Sequence, residues 1–145
     1  STRYVNYNKK GITFIIPPWF NLKEGIYQLS RWYDGITSFI NETEDEIKIE
    51  KLSNEYYWLT GLANCEEIYN ILIKNGQQPQ QARSVLPNSL KTEIVCSTNA
   101  REWRHILTLR CNKSAHPQMR EIMIPLLKEF QQRVPILFDN IKFDE

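Results

Sequence analysis

From Tyr4 to Ile16 polar and apolar side chains alternate and then give way to the apolar run Ile12, Phe14, Ile15 and Ile16, which Pro17-Pro18 ends. Proline cannot donate to a ladder, so this pattern predicts a strand near residues 11 to 16. Ile26, Leu29, Tyr33, Ile36 and Ile40 then recur at helical spacing, which predicts a helix from Leu22 to Ile40 weakened by Gly35. A further helix is predicted from about Asn54 to Lys74. Ser53 caps it, Trp58, Leu62, Cys65, Tyr69 and Leu72 share one face, and Asn75-Gly76 stops it. Pro79 suits the first turn of a short helix that ends near Leu86-Pro87 and holds Ala82, Arg83, Val85 and Leu86. The β-branched Ile94 and Val95 predict a second strand at Thr92 to Ser97.

Asn99-Ala-Arg-Glu102 reads as a capping box, with the Asn side chain accepting an orphan amide and Glu102 reaching back. The helix it opens runs to about Arg110. A last helix, near Gln118 to Val134, places Met119, Ile122, Leu126, Leu127, Phe130 and Val134 on one stripe, and Pro125 should kink it. His116-Pro117 shapes the loop before it. No internal repeat or long linker divides the chain. The fold class expected is α+β: one helix-dominated domain with two short strands.

Composition narrows the classes. Among 145 residues, 41% are hydrophobic and 24% charged, with five Gly, seven Pro and 12% aromatics, which excludes collagen-like, low-complexity and wholly disordered chains. No run reaches the roughly 18 apolar residues of a membrane span, so no membrane partner is expected. Cys65, Cys96 and Cys111 are odd in number and lack CxxC spacing, which supports neither a zinc site nor a disulfide framework and fits a reducing compartment. With no basic-then-apolar leader at Ser1, the expected location is the cytoplasm. The acidic cluster Glu42 to Glu46 reads as a solvated loop or helix start.

The formal charge of +1 hides an uneven distribution. Between residues 83 and 120, Arg83, Lys91, Arg101, Arg104, Arg110, Lys113 and Arg120 face only Glu93 and Glu102, a surplus of five positive charges. That surplus points to an anionic ligand. Taking Asn99 as zero and about 100° per residue, Trp103 falls near 40°, Leu107 near 80°, Ile106 near 340°, Leu109 near 280° and Arg110 near 20°. Arg110 is thereby placed inside the apolar arc, where an unpaired guanidinium is heavily penalised. Two explanations remain open at this level: a last-turn cation that complements the helix dipole and snorkels outward, or an anionic or carbonyl-bearing ligand at the core rim.

On the other side Arg101, His105 and Thr108 form a polar stripe that starts at a capped helix amino terminus, where free amides favour an anion. Arg3, Arg83, Arg101 and Arg110 together supply four guanidiniums suited to bidentate phosphate or carbonyl recognition. No glycine-rich phosphate loop, GxSxG or HExxH is present, and His105 and His116 do not suggest a metal pair. An enzyme built this way would leave the hard step to a cofactor.

Gln81-Ala-Arg-Ser-Val-Leu-Pro87, then Asn99-Ala-Arg101 with His105 and Leu107 to Arg110, then Ala115-His-Pro-Gln-Met-Arg-Glu121, closely resemble in order and spacing the carboxy-terminal half of flavin-dependent thymidylate synthases. Ser1-Thr-Arg3-Tyr4 looks like the end of that family's RHRxxSxNExSxR segment, whose RHR portion is absent here. The likeness covers residues 1 to 16 and 78 to 135, with residues 20 to 52 looking like a variable insertion. It implies the carboxy-terminal part of a larger α/β subunit.

The resemblance further implies a homotetramer that methylates deoxyuridine monophosphate (dUMP) to thymidylate, with methylenetetrahydrofolate as carbon donor, FAD as redox carrier and NADPH as reductant. It carries over a nucleotide contact to Ser1, Thr2 and Arg3, a contact from another subunit to Arg83, and nucleotide activation to Arg110. Asn99, Ala100, Arg101 and His105 would hold FAD. Neither a metal nor a nucleic acid is implied. Without the preceding part of the motif, the chain alone is expected to turn over weakly or not at all. Two rivals stand beside it: a non-catalytic arginine-rich helical module binding RNA or another phosphate-bearing partner, and a relative modifying a different pyrimidine nucleotide.

Overall fold

The computed structural model describes Tyr7, residues 11–31, residues 37–41, Ile49 and residues 52–143. The chain divides into two compact units, Ser1–Glu93 and Ile94–Glu145. Helix dominates both.

In the first unit the residues read as a helix from Leu22 to Ile40 form instead an antiparallel hairpin, β1 (Tyr27–Arg31) and β2 (Thr37–Asn41), in which Leu29 pairs with Phe39. Tyr27, Thr37, Phe39 and Ile40 favour a pleated surface, and the pairing of the two segments outweighs the helical spacing. The predicted strand at 11 to 16 is reduced to one antiparallel bridge between Phe14 and Leu90. Ile15 N–H donates to the Ser89 carbonyl over 2.8 Å and Lys91 N–H to the Thr13 carbonyl over 2.9 Å.

Helix α1 (Asn54–Lys74) begins where Ser53 Oγ accepts from Tyr56 N–H at 3.1 Å. Asn75 and Gly76 end it, with Gly76 at a φ of 87°, a conformation glycine adopts without strain. The predicted face holds: Tyr69 and Leu62 are buried, and Trp58, Cys65 and Leu72 are half-buried. Tyr69 packs edge-on against Tyr7 at 5.9 Å between ring centres, its hydroxyl accepts from Tyr7 N–H, and Ala82, Val85, Leu86 and Leu90 complete the cluster. Pro79 opens α2 (Pro79–Ala82), which passes into the 3-10 turn Arg83–Val85. Ser53→Ala should cost about 1 kcal/mol by removing one cap acceptor, read as a lower urea midpoint with unchanged helix content.

The second unit contains α3 (Ala100–Arg110), α4 (Pro117–Arg133) and the short α5 (Pro135–Phe138). Thr92 to Ser97 form no strand: Ile94 and Val95 are 85% and 97% exposed and pair with nothing among the described residues. Propensity alone cannot hold a strand without a neighbouring ladder. Leu107, Cys111, Leu127, Phe138 and Ile141 make the core, with Trp103, Met123, Ile124 and Phe130 packed around it.

Helix α4 starts at Pro117, capped by His116 Nδ1, which accepts from Gln118 N–H at 3.3 Å, and it continues through Pro125. Its inward stripe is shifted from the predicted one. Leu127 is fully buried, whereas Ile122 and Val134 are exposed and Met123 and Ile124 turn toward the cluster. Gln131 Nε2 closes the carboxy-terminal corner by donating to the carbonyls of Phe138 and Ile141 at 3.2 and 3.0 Å.

Candidate functional site

Five of the predicted site residues are carried by α3 and its cap. Asn99 Oδ1 accepts from Glu102 N–H at 2.9 Å, and its carbonyl accepts from Trp103 N–H at 3.0 Å. The Asn half of the expected capping box therefore forms, while Glu102 places its carboxylate in the first turn without a return bond among the described residues. With one orphan amide taken by the cap, the other first-turn N–H groups, including those of Ala100 and Arg101, stay open toward the solvent side. Arg101 and His105 are exposed on that side. Thr108 shares the stripe, but its hydroxyl turns back to donate to the Arg104 carbonyl at 2.8 Å.

This donor set suits a phosphate-bearing cofactor such as a flavin dinucleotide: open amides at a helix start, a guanidinium one residue on, and an imidazole one turn further. Among the described residues no group of three or more His, Cys, Asp or Glu could hold a metal ion.

Of the two explanations the sequence left open for Arg110, the structure shows the outward last-turn cation. It was expected within the apolar arc, yet it is exposed, in the last turn of α3, and its guanidinium has no hydrogen-bond or ionic partner among the described residues. The reason is the centre of the arc. Leu107 and Cys111 are both 0% exposed, and at about 100° per residue Arg110 lies about 60° and 100° to one side of them. The desolvation argument for a compensating ligand therefore does not apply to the chain by itself. Arg104, a half-buried residue on the same helix, donates from its guanidinium to Asn140 Oδ1 at 2.9 Å. Neither that pair nor the buried Cys111 was singled out by the pattern, because both depend on contacts with the carboxy-terminal elements.

Arg83 sits in the first unit, half-buried at the start of its 3-10 turn, where its carbonyl accepts from Leu86 N–H at 3.0 Å. Ser1, Thr2 and Arg3 lie outside the described residues. An open depression of about 450 Å³ beside α1 is lined by Tyr27, Glu66, Asn70 and Lys74 and includes none of the predicted site residues.

The family model described as thymidylate synthase complementing protein matches residues 1–136. The chain belongs to this family. The flavin-dependent thymidylate synthase of Corynebacterium aurimucosum is 39% identical over 78 residues, 54% of this chain and 31% of the relative. That of Corynebacterium efficiens is 28% identical over 126 residues, covering 73% of this chain and 50% of the relative. The same-named protein of Corynebacterium glutamicum is 35% identical over 75 residues, 52% and 30% of the two chains. The chain thus spans about a third to a half of the length of these curated relatives. No described helix is long and apolar enough to cross a membrane.

Proposed function

We propose that the protein is a flavin-dependent thymidylate synthase that converts dUMP to thymidylate, taking the carbon from methylenetetrahydrofolate and the reducing equivalents from NADPH through FAD. The observation that carries this is the family match over residues 1–136, together with a single helix that offers donors at both ends. In this reading Asn99, Ala100, Arg101 and His105 hold FAD, Arg110 acts on the pyrimidine, and Ser1, Thr2, Arg3 and Arg83 bind the nucleotide. The chain would form the carboxy-terminal part of a larger cytoplasmic α/β subunit, with residues 20 to 52, including the β1–β2 hairpin, as an insertion.

Bound FAD would supply the hydride chemistry that no side chain here can perform. What the chain's own residues do is bind and polarise. The amides and guanidinium at the start of α3 offset phosphate charge. At the other end, a fixed cation beside the ring carbonyls of uracil stabilises the negative charge that develops as carbon 5 attacks an electrophile. Arg110 has donors that no partner takes among the described residues. In bulk water its field is weak, so self-association into a homotetramer, with Arg83 entering from a neighbouring subunit, would matter by excluding water from around it.

An absorbance scan of the full-length protein between about 350 and 500 nm tests the reading. Added FAD should be retained and give the two flavin bands, and dUMP should shift them. Arg101→Ala should weaken FAD retention about tenfold while leaving unfolding unchanged, since Arg101 is exposed. No flavin retention, combined with RNA binding that falls steeply with salt, would favour a phosphate-binding module instead.

A further inference from the structure

The thiol of Cys111 has no part in the chemistry above, yet it is fully buried and doubly tied. Its Sγ–H donates to the Met123 carbonyl of α4 over 3.3 Å, and its backbone N–H donates to the Leu107 carbonyl over 3.0 Å as the cap of α3. Burial pushes the thiol above its ordinary range, against a weaker downward pull from Arg120. It therefore stays protonated at neutral pH and able to donate.

We propose that Cys111 is a positioning residue: by fastening the last turn of α3 to α4 it fixes the direction in which Arg110, its neighbour in the chain, projects toward the nucleotide. The inference rests on the role given to Arg110 above. A helix end frays because its last carbonyls lack intrahelical partners, and the exposed Arg110 side chain makes no packing contact with the buried cluster that would hold that turn. The fixed points are Leu107, fully buried one turn earlier, and Cys111 one residue later. Beyond them the corner closes on itself. Asn112 Oδ1 accepts from Ser114 N–H at 2.9 Å and from its hydroxyl at 2.8 Å, and Ala115 N–H donates to the Asn112 carbonyl at 2.9 Å. The thiol adds a hydrogen bond from this corner to α4, and it reaches a helical carbonyl whose second lone pair is available.

Two variants of the full-length protein separate the hydrogen bond from the packing. Cys111→Val nearly keeps the volume and loses the donor; Cys111→Ser keeps a donor. Dissociation constants for dUMP and for FAD, from flavin absorbance titrations, are read beside thermal unfolding. Cys111→Val should weaken dUMP binding about tenfold. FAD binding should change less than about twofold, because its contacts lie toward the opposite end of α3. Cys111→Ser should restore most of the dUMP affinity. Wild-type dUMP affinity in Cys111→Val overturns the proposal, as does a parallel fall of FAD and dUMP binding that tracks lowered stability. If Arg110→Ala itself binds dUMP normally, the functional reading fails and takes this inference with it. If Arg110→Ala loses dUMP and Cys111→Val does not, only this inference fails.

Discussion

Arg110→Ala in the full-length protein should lower thymidylate formation by about 10³-fold or more, the scale on which removing one charge-stabilising group from a reacting centre acts. Because Arg110 is exposed and its guanidinium makes no bond among the described residues, the fold should be indifferent to the change. Its unfolding free energy should stay within about 0.5 kcal/mol of wild type. Arg110→Lys keeps the charge but not the planar fork, so it should recover only part of the rate. Tritium release from labelled dUMP, measured beside a urea titration, checks both halves. Turnover at the wild-type level in Arg110→Ala would remove the mechanism proposed for this helix end.

The largest stability effect is expected at Leu107→Ala. Leu107 is 0% exposed and packs with Leu127, Phe138 and Ile141, beside the edge-on pair of Trp103 and Phe130 at 5.5 Å. Truncation there removes transfer energy and leaves a cavity that neighbouring elements cannot fill, a loss of about 3 kcal/mol. Both ends of α3 depend on that docking, so flavin and nucleotide affinity should fall together, unlike the selective losses at Arg101 or Arg110. Leu109→Ala, at a position 52% exposed, is the matched control and should cost less than about 0.5 kcal/mol. A urea midpoint unchanged by Leu107→Ala would show that the second unit is not held by this cluster.

Local chemistry was the legible part of the sequence. Ser53, Asn99, Pro79 and Asn75-Gly76 act within a few residues of themselves, and the structure uses each as a helix start or stop. Leu62, Tyr69, Leu107 and Leu127 were recognisable as core from periodicity alone. The misread segment, Leu22 to Ile40, carries two periods at once: its apolar residues fit helical spacing, while its aromatic and β-branched residues fit cross-strand pairing. Pairing is a relation between separated residues, and a one-strand reading cannot weigh it. At Thr92 to Ser97 the opposite error arose, with β-branched side chains present and no ladder partner among the described residues.

Within the candidate site, the motif order was legible and the orientation of Arg110 was not. A helical wheel that stops at Arg110 leaves out Cys111, whose burial rotates the inward direction away from the arginine. His116 as a helix cap and Arg104 as the partner of Asn140 were hidden for a related reason: each becomes visible only once α4 or the carboxy-terminal segment is in place.

The unbroken run from Asn99 to Arg110 also acts as a spacer of set length, roughly 16 Å at about 1.5 Å per residue. Inserting or deleting one residue inside it would swing everything downstream by about 100°, turning Arg110 off its bearing while the start of the helix stayed put. Length variation among relatives should therefore collect in the segments before Asn99 and after Ser114, and a chain altered inside this rod would have to re-evolve one of its two grips.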